Sequence, residues 1–144
     1  MPDILHRIII PAAPQTVFDL IATPRGIIQW WTQDASGGGE VGELIELGFN
    51  GRKAVIRLRV DEVVLDQRLV WTCIEHAGGM EEWPGTHLIW NLANWKSGET
   101  DLRFAHTNWQ TVAAEYPSCN TLWGQLLLRL KATAIGRGAG ALFY

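Results

Sequence analysis

Between residues 43 and 107 the chain alternates apolar and polar side chains with a period of two, broken by short turn signals and one longer loop. Successive side chains of a strand point to opposite faces, so this stretch reads as a series of strands joined by hairpins. "ELIELGF" runs to Phe49, Asn50-Gly51 interrupts, and "RKAVIRLRVDEV" resumes the alternation. Asn-Gly between alternating runs is the strongest short hairpin signal, because both residues accept the left-handed backbone of the favoured turn. In the second run Ala54, Ile56, Leu58 and Val60 share one face, while Val55, Arg57, Arg59 and Asp61 share the other. One face is therefore dry and the other wet, as in an antiparallel sheet covered on one side.

Asp66-Gln67 turns the chain into a strand through Trp71 and Cys73, and a loop over 76–85, "HAGGMEEWPG", follows. "THLIWNLA" and "TDLRFAHTNW", joined at Ser97-Gly98, make the last two strands. They put Leu88, Trp90, Leu92, Leu102, Phe104 and His106 on the inner face. Ahead of the sheet, "ILHRIIIP" at 4–11 is a β-branched run ended by proline, hence another strand. "APQTVFDLIAT" starts a short helix with Pro14 in its first turn and Val17, Phe18 and Ile21 on one side. Thr23-Pro24 is a cap followed by a helix-starting proline. It predicts a second short helix through Ile27, Ile28, Trp30 and Trp31, stopped by Gly37-Gly38-Gly39. "SCNTLWGQLLLRLKATAIGRG" closes the chain at helical period, with Trp123, Leu127, Leu130 and Ala134 in one stripe, Leu126 widening it, and Gly136 as its cap.

A sheet with one dry face needs a cover, and only the closing helix is long enough to supply it. The expectation is one α+β domain over residues 1–144. A curved antiparallel sheet of about six strands wraps a long C-terminal helix, with two short helices after the first strand. Such a sheet encloses a space that side chains either fill or leave open. Eight tryptophans bear on that choice, since indoles both complete cores and line pockets for apolar ligands. Trp123 on the helix faces Trp71 and Trp90 on the sheet, Trp31 lies under the helix ends, and Trp30 borders an entrance nearer the surface. A filled interior and an open one stand equal on sequence alone.

Charge and cysteine content narrow the function. The net charge is −3 and the basic residues are scattered, so no stripe exists to hold a nucleic-acid backbone. No apolar run reaches the length of a membrane span, and "MPDILHRIIIPAAP" lacks the positive start and long apolar run of a signal peptide. The cytoplasm is the expected location, with Cys73 and Cys119 as two buried thiols rather than a disulfide.

No nucleophile motif is present, and His6, His76, His87 and His106 have no metal-like spacing, so neither a metal nor another cofactor is expected. "GRGAGA" and the triple glycine stand in the wrong order relative to helix and strand for a phosphate cradle. Glu81 and Glu82 can do acid–base work if desolvated, but in a loop they read as solvated charges. Their loop, with its Gly-Gly pair, Met80 and Trp83, is a candidate lid. His106 reads either as a ligand contact or general base, or as a core histidine satisfied by a backbone carbonyl or Thr107.

The element order and four motifs resemble the START-like superfamily, also called SRPBCC or helix-grip. The likeness is strongest to the branch of homologues of an activator of a heat-shock chaperone ATPase. The motifs are "APQTVFDLIATPRGIIQWW" at 13–31, "VDEVVLDQRLVWT" at 60–72, "GETDLRFAHTNW" at 98–109 and "LWGQLLLRLKATAIGRG" at 122–138. The "EEWPG" loop and "WNLANW" are richer in tryptophan than that pattern, and Ala13 replaces its Ser or Thr cap.

The resemblance implies a cavity between sheet and helix that holds small apolar molecules, and the expectation is that this chain binds a small hydrophobic or aromatic molecule there without turnover. Its expected lining from the sheet is Phe49, Ile56, Leu58, Trp71, Trp90, Phe104 and His106. Trp31, Trp123, Leu127 and Leu130 complete it. A polyketide cyclase or dehydratase using His106 is an alternative. So is a protein-interaction or chaperone-cofactor module using the loop around Trp83 or the wet sheet face. A homodimer through an exposed strand or loop is a further expectation. No shared catalytic set comes with the superfamily, so the fold alone names no reaction.

Overall fold

The alternating runs form one antiparallel sheet in the computed structural model, which describes residues 2–144. In chain order the elements are β1 (Ile4–Ile10), α1 (Pro14–Ala22), α2 (Pro24–Ile27), β2 (Asp34–Gly37), β3 (Leu44–Phe49), β4 (Ala54–Val64), β5 (Arg68–Ala77), β6 (His87–Trp95), β7 (Glu99–Thr107) and α3 (Glu115–Ala134). The strands lie in the order β1-β7-β6-β5-β4-β3-β2. Strands β2 to β7 are thus a meander, and β1 returns to its far edge, pairing Ile4 with His106 and Ile10 with Thr100. Interruptions of the β4–β5 register at Arg57/Leu58 and Val60/Glu62 add twist and bend the sheet into its curved shape.

The sheet has seven strands because of β2, which runs beside β3 from Asp34 opposite Gly48 to Gly37 opposite Ile45. The sequence puts a helix stop there, and nothing in Asp-Ala-Ser-Gly carries strand propensity; the edge of β3 recruits it. Helix α2 is shorter than its periodicity predicts. It ends at Ile27, and turns carry the chain on to Trp31, with Trp30 and Trp31 N–H both donating to the Ile27 carbonyl.

Thr23 separates the two short helices as expected. Its hydroxyl accepts from Gly26 N–H and donates to the Asp19 carbonyl, each at 3.0 Å, while Pro24 occupies the first turn. Ala13 gives α1 no side-chain cap. The inner faces of the strands and the Trp123, Leu126, Leu127, Leu130 stripe of α3 are buried together. After α3 the chain turns back, and its last residues are stitched to the Trp30–Trp31 turn. Phe143 N–H donates to Trp31 O at 3.0 Å, Leu142 N–H to Trp30 O at 3.3 Å, and Thr32 pairs with Phe143 as an isolated parallel bridge. Ion pairs cross the outer face, among them Arg7 with Asp101 and Arg57 with Glu46 and Glu75. Among the described residues, no helix is long and apolar enough to cross a membrane.

The corner between α1 and α2 depends on Gly26. A β-carbon there would stand 2.3 Å from the Asp19 carbonyl oxygen and 2.5 Å from the Leu20 α-carbon, both backbone atoms that cannot rotate aside. Gly26→Ala is expected to destabilise the protein by about 1–3 kcal/mol, the usual range for overpacking. Urea unfolding checks this, and an unchanged midpoint would contradict the close approach.

Candidate functional site

The space between sheet and α3 is walled by aromatic rings, and strand alternation puts them there. Trp71 on β5, Trp90 on β6 and Phe104 with His106 on β7 all occupy inward positions. Trp123 meets them from α3. Its ring centroid lies 4.2 Å from Phe104, 5.0 Å from Trp31, 5.7 Å from Trp90 and 6.2 Å from Trp83. Phe49, Ile56, Leu58, Leu127 and Leu130 are buried around this cluster. All eleven positions expected to line a site are thus brought to one interior, and at these separations their rings touch. One surface cleft, bordered by Ala13, Pro14, Leu65, Asp66 and Asn94, reaches no tryptophan.

Two tryptophans are not where the sequence put them. Trp30 is fully buried instead of bordering an entrance. Its ring stacks on Trp31 at 5.6 Å and its N–H donates to the Leu20 carbonyl at 2.8 Å, so both polar and apolar parts are satisfied inside. Trp83 is only 2% exposed, although its loop reads as solvated. The ring plugs the interior, 4.6 Å from His106 and 6.4 Å from Trp109. An interaction module therefore cannot present Trp83 while this loop stays in place.

The loop over 78–86 has the parts of a hinged flap. Gly79 and Gly85 bracket the plug at φ +87° and +88°, left-handed positions with open space around the α-carbon. Two hydrogen bonds fasten it to the start of α3: Glu82 N–H donates to the Glu115 carboxylate at 3.1 Å, and Glu115 N–H donates to the Glu82 carboxylate at 3.3 Å. Glu82 is therefore a clasp and not a free loop charge. Burial raises the Glu115 pKa, and the neighbouring Glu82 and Glu81 charges push the same way.

His106 is completely buried, and both ring nitrogens are engaged. An indole nitrogen only donates, so the 3.0 Å contact from Trp123 Nε1 makes His106 Nδ1 the acceptor. The proton then sits on Nε2 and is donated to Thr86 Oγ1 at 2.8 Å, and that hydroxyl donates to the Trp83 carbonyl at 2.6 Å. Trp109 N–H adds a bond to the His106 carbonyl at 3.0 Å. His106 is thus a hydrogen-bonded core histidine, with Thr86 and Trp123 as its partners instead of Thr107. Burial, helped by the charge of His87, pushes its pKa down to about 3. A general base working near neutrality needs a free lone pair, and His106 has none to offer.

The thiols are equally quiet. Burial pushes Cys73 up to about 12 and Cys119 up to about 11, and neither is in a disulfide. His87 lies on the other side of the sheet in a chain with Thr72 and Asp61, its Nδ1 2.9 Å from the Thr72 hydroxyl. Among the described residues, no three metal-ligating side chains come together.

Comparison with known proteins agrees with this architecture. The family model described as activator of Hsp90 ATPase homolog 1-like protein matches residues 11–134. Aha1 from Colwellia psychrerythraea, whose solution structure is a dimer, is 37% identical; the match covers 96% of this chain and 100% of that one with a TM-score of 0.82. SSP2350 from Staphylococcus saprophyticus is 18% identical, covering 99% of this chain and 100% of that one at a TM-score of 0.78. CalU16 from Micromonospora echinospora is 16% identical, covering 96% and 76% at a TM-score of 0.76. At such identities the last two show the fold alone. No curated protein matches the sequence.

The buried imidazole makes stability depend on pH. The folded pKa lies near 3 and the ordinary value is 6.5, so the unfolded chain binds the proton more readily. Its contribution is complete above pH 6.5 and is lost as the pH falls from there towards 3. Stability at pH 5 is expected to be about 2 kcal/mol below that at pH 7, from about 1.4 kcal/mol per pH unit. Urea unfolding at a series of pH values measures it; a flat profile, or a slope retained in His106→Phe, would reject the assignment.

Proposed function

The chain belongs to the activator of Hsp90 ATPase homolog 1-like family, and from that membership we propose that it binds a small hydrophobic or aromatic molecule between sheet and α3, without turnover. The observation that carries this reading is Trp83, a ring held in the interior by the loop that runs between the left-handed Gly79 and Gly85. An aromatic guest that displaces the plug meets the faces of Trp123, Trp109 and His106, the surfaces Trp83 covers now. Trp31, Trp71, Trp90 and Phe104 with the leucines of α3 form the deeper wall of the proposed site. A cyclase-like reaction is the weaker alternative, because the hydrogen bonds to Thr86 and Trp123 occupy the base it would use. A cytoplasmic location belongs to the same proposal.

Likeness to the Colwellia dimer favours a second reading that is compatible with the first: two copies of this chain associate. The tip of the β4–β5 hairpin, where Val63, Val64 and Leu65 are exposed together, is the proposed contact.

Titration with N-phenyl-1-naphthylamine tests the first reading. A saturable rise in probe emission at one site is expected, with affinity increased about tenfold in Trp83→Ala because the guest no longer competes with the protein's own ring. Absence of saturable binding in both proteins would remove the proposal. For the second, sedimentation is expected to give a dimer that Leu65→Asp dissociates. A 16.1 kDa monomer at all concentrations would end it.

A further inference from the structure

Three indole N–H groups deep in the interior, those of Trp71, Trp83 and Trp90, have no hydrogen-bond partner, and two of them lie side by side. Trp71 and Trp90 are wholly buried on adjacent strands with ring centroids 5.8 Å apart, and neither Nε1 has a hydrogen-bond partner. Three other indoles do have acceptors: Leu20 O for Trp30, His106 O for Trp109 and His106 Nδ1 for Trp123. Trp83 Nε1 is likewise unpaired, but it belongs to the plug that a guest would displace, so it sets no requirement on the guest. Buried donors are normally paired, because leaving one unpaired forfeits its hydration with no return. Phenylalanine or leucine at 71 and 90 would fill the same wall without that cost.

From these two orphaned donors we infer that the guest carries a neutral hydrogen-bond acceptor, such as a ketone, ester or quinone oxygen, on an apolar or aromatic body, and that this oxygen seats against the Trp71 and Trp90 N–H groups. The inference rests on the ligand-binding reading above and names the class of ligand. A plain hydrocarbon leaves both donors unpaired. An ammonium brings a further donor to a place already in surplus. A carboxylate loses its hydration with no buried cation beside it, since the only charged side chain buried among the described residues is Asp101 and His106 is held neutral. An uncharged acceptor is the chemistry that remains.

The matched pair α-tetralone and tetralin, alike in shape and differing by one carbonyl, tests this on the wild-type protein. Indole N–H resonances are followed by ¹H–¹⁵N NMR and assigned with Trp71→Phe and Trp90→Phe. The expected result is a downfield movement of the Trp71 or Trp90 N–H proton with tetralone and none with tetralin. The preference for the ketone over the hydrocarbon should fall about fivefold in the double phenylalanine variant, the worth of one hydrogen bond. If both compounds bind and neither proton moves downfield, the indoles are donating to neighbouring ring faces; the acceptor class is then wrong while ligand binding stands. If neither compound binds and N-phenyl-1-naphthylamine also fails, both readings fall.

Discussion

Packing of Trp123 against the sheet is the contact on which the rest of the molecule depends. The dry face of a seven-stranded sheet is covered by α3 with the buried side of α1 beside it, and α3 has to hold on at several points. An indole supplies width, and the ring of Trp123 touches Phe104, Trp31, Trp90 and Trp83 at once, so it joins α3 to β7, to the turn after α2, to β6 and to the flap. Its N–H fixes the orientation of the ring through His106, and that bond in turn fixes the tautomer of the imidazole. A change at this position is thereby felt in four parts of the structure.

The polar groups of the interior divide it into two regions. Both nitrogens of His106 are matched in a chain that runs from Trp123 through the imidazole and Thr86 to the backbone of Trp83, with Trp109 attached at the side. Around Trp71 and Trp90 the donors are unmatched. The first region is specified tightly and resists rearrangement, since each member that leaves orphans another. In the second, nothing polar opposes repacking. The glycine-bracketed flap meets the first region through its plug and carries the carbonyl that ends the chain, so its departure costs hydrogen bonds as well as buried area.

Much of the fold was legible in the residues because period-two alternation and the Thr23-Pro24 and Asn50-Gly51 signals are local. β2 was not, because Asp34–Gly37 acquires its strand only from the edge of β3. Trp30 and Trp31 follow Ile27 and Ile28 at helical spacing, yet the backbone leaves the helix at Ile27 and hands those rings to the core. The inward strand positions of the candidate site followed from alternation, and Trp123, Leu127 and Leu130 from helical period. The partners of His106 did not, since Thr86 and Trp123 lie 20 and 17 residues away. Trp83 was missed for a related reason: Pro-Gly and paired glutamates mark a solvated loop, and only the tertiary fold turns its one large apolar residue inward.

The place of β1 bears on how the molecule is made. The strand nearest the start of the chain finds its sole partner in β7, with Ile4 opposite His106, so it emerges from the ribosome long before there is anything for it to pair with. At about 5–20 residues per second the delay is on the order of 5–20 seconds. During that interval the meander can pair strand by strand as each is synthesised, while the β-branched leading segment stays solvated, with the first two helices trailing from it. Closure of this distant pair is the slow, high-contact-order step of folding. A nascent chain stalled before β7 would hold out an unpartnered apolar strand, the form in which chaperones would meet it.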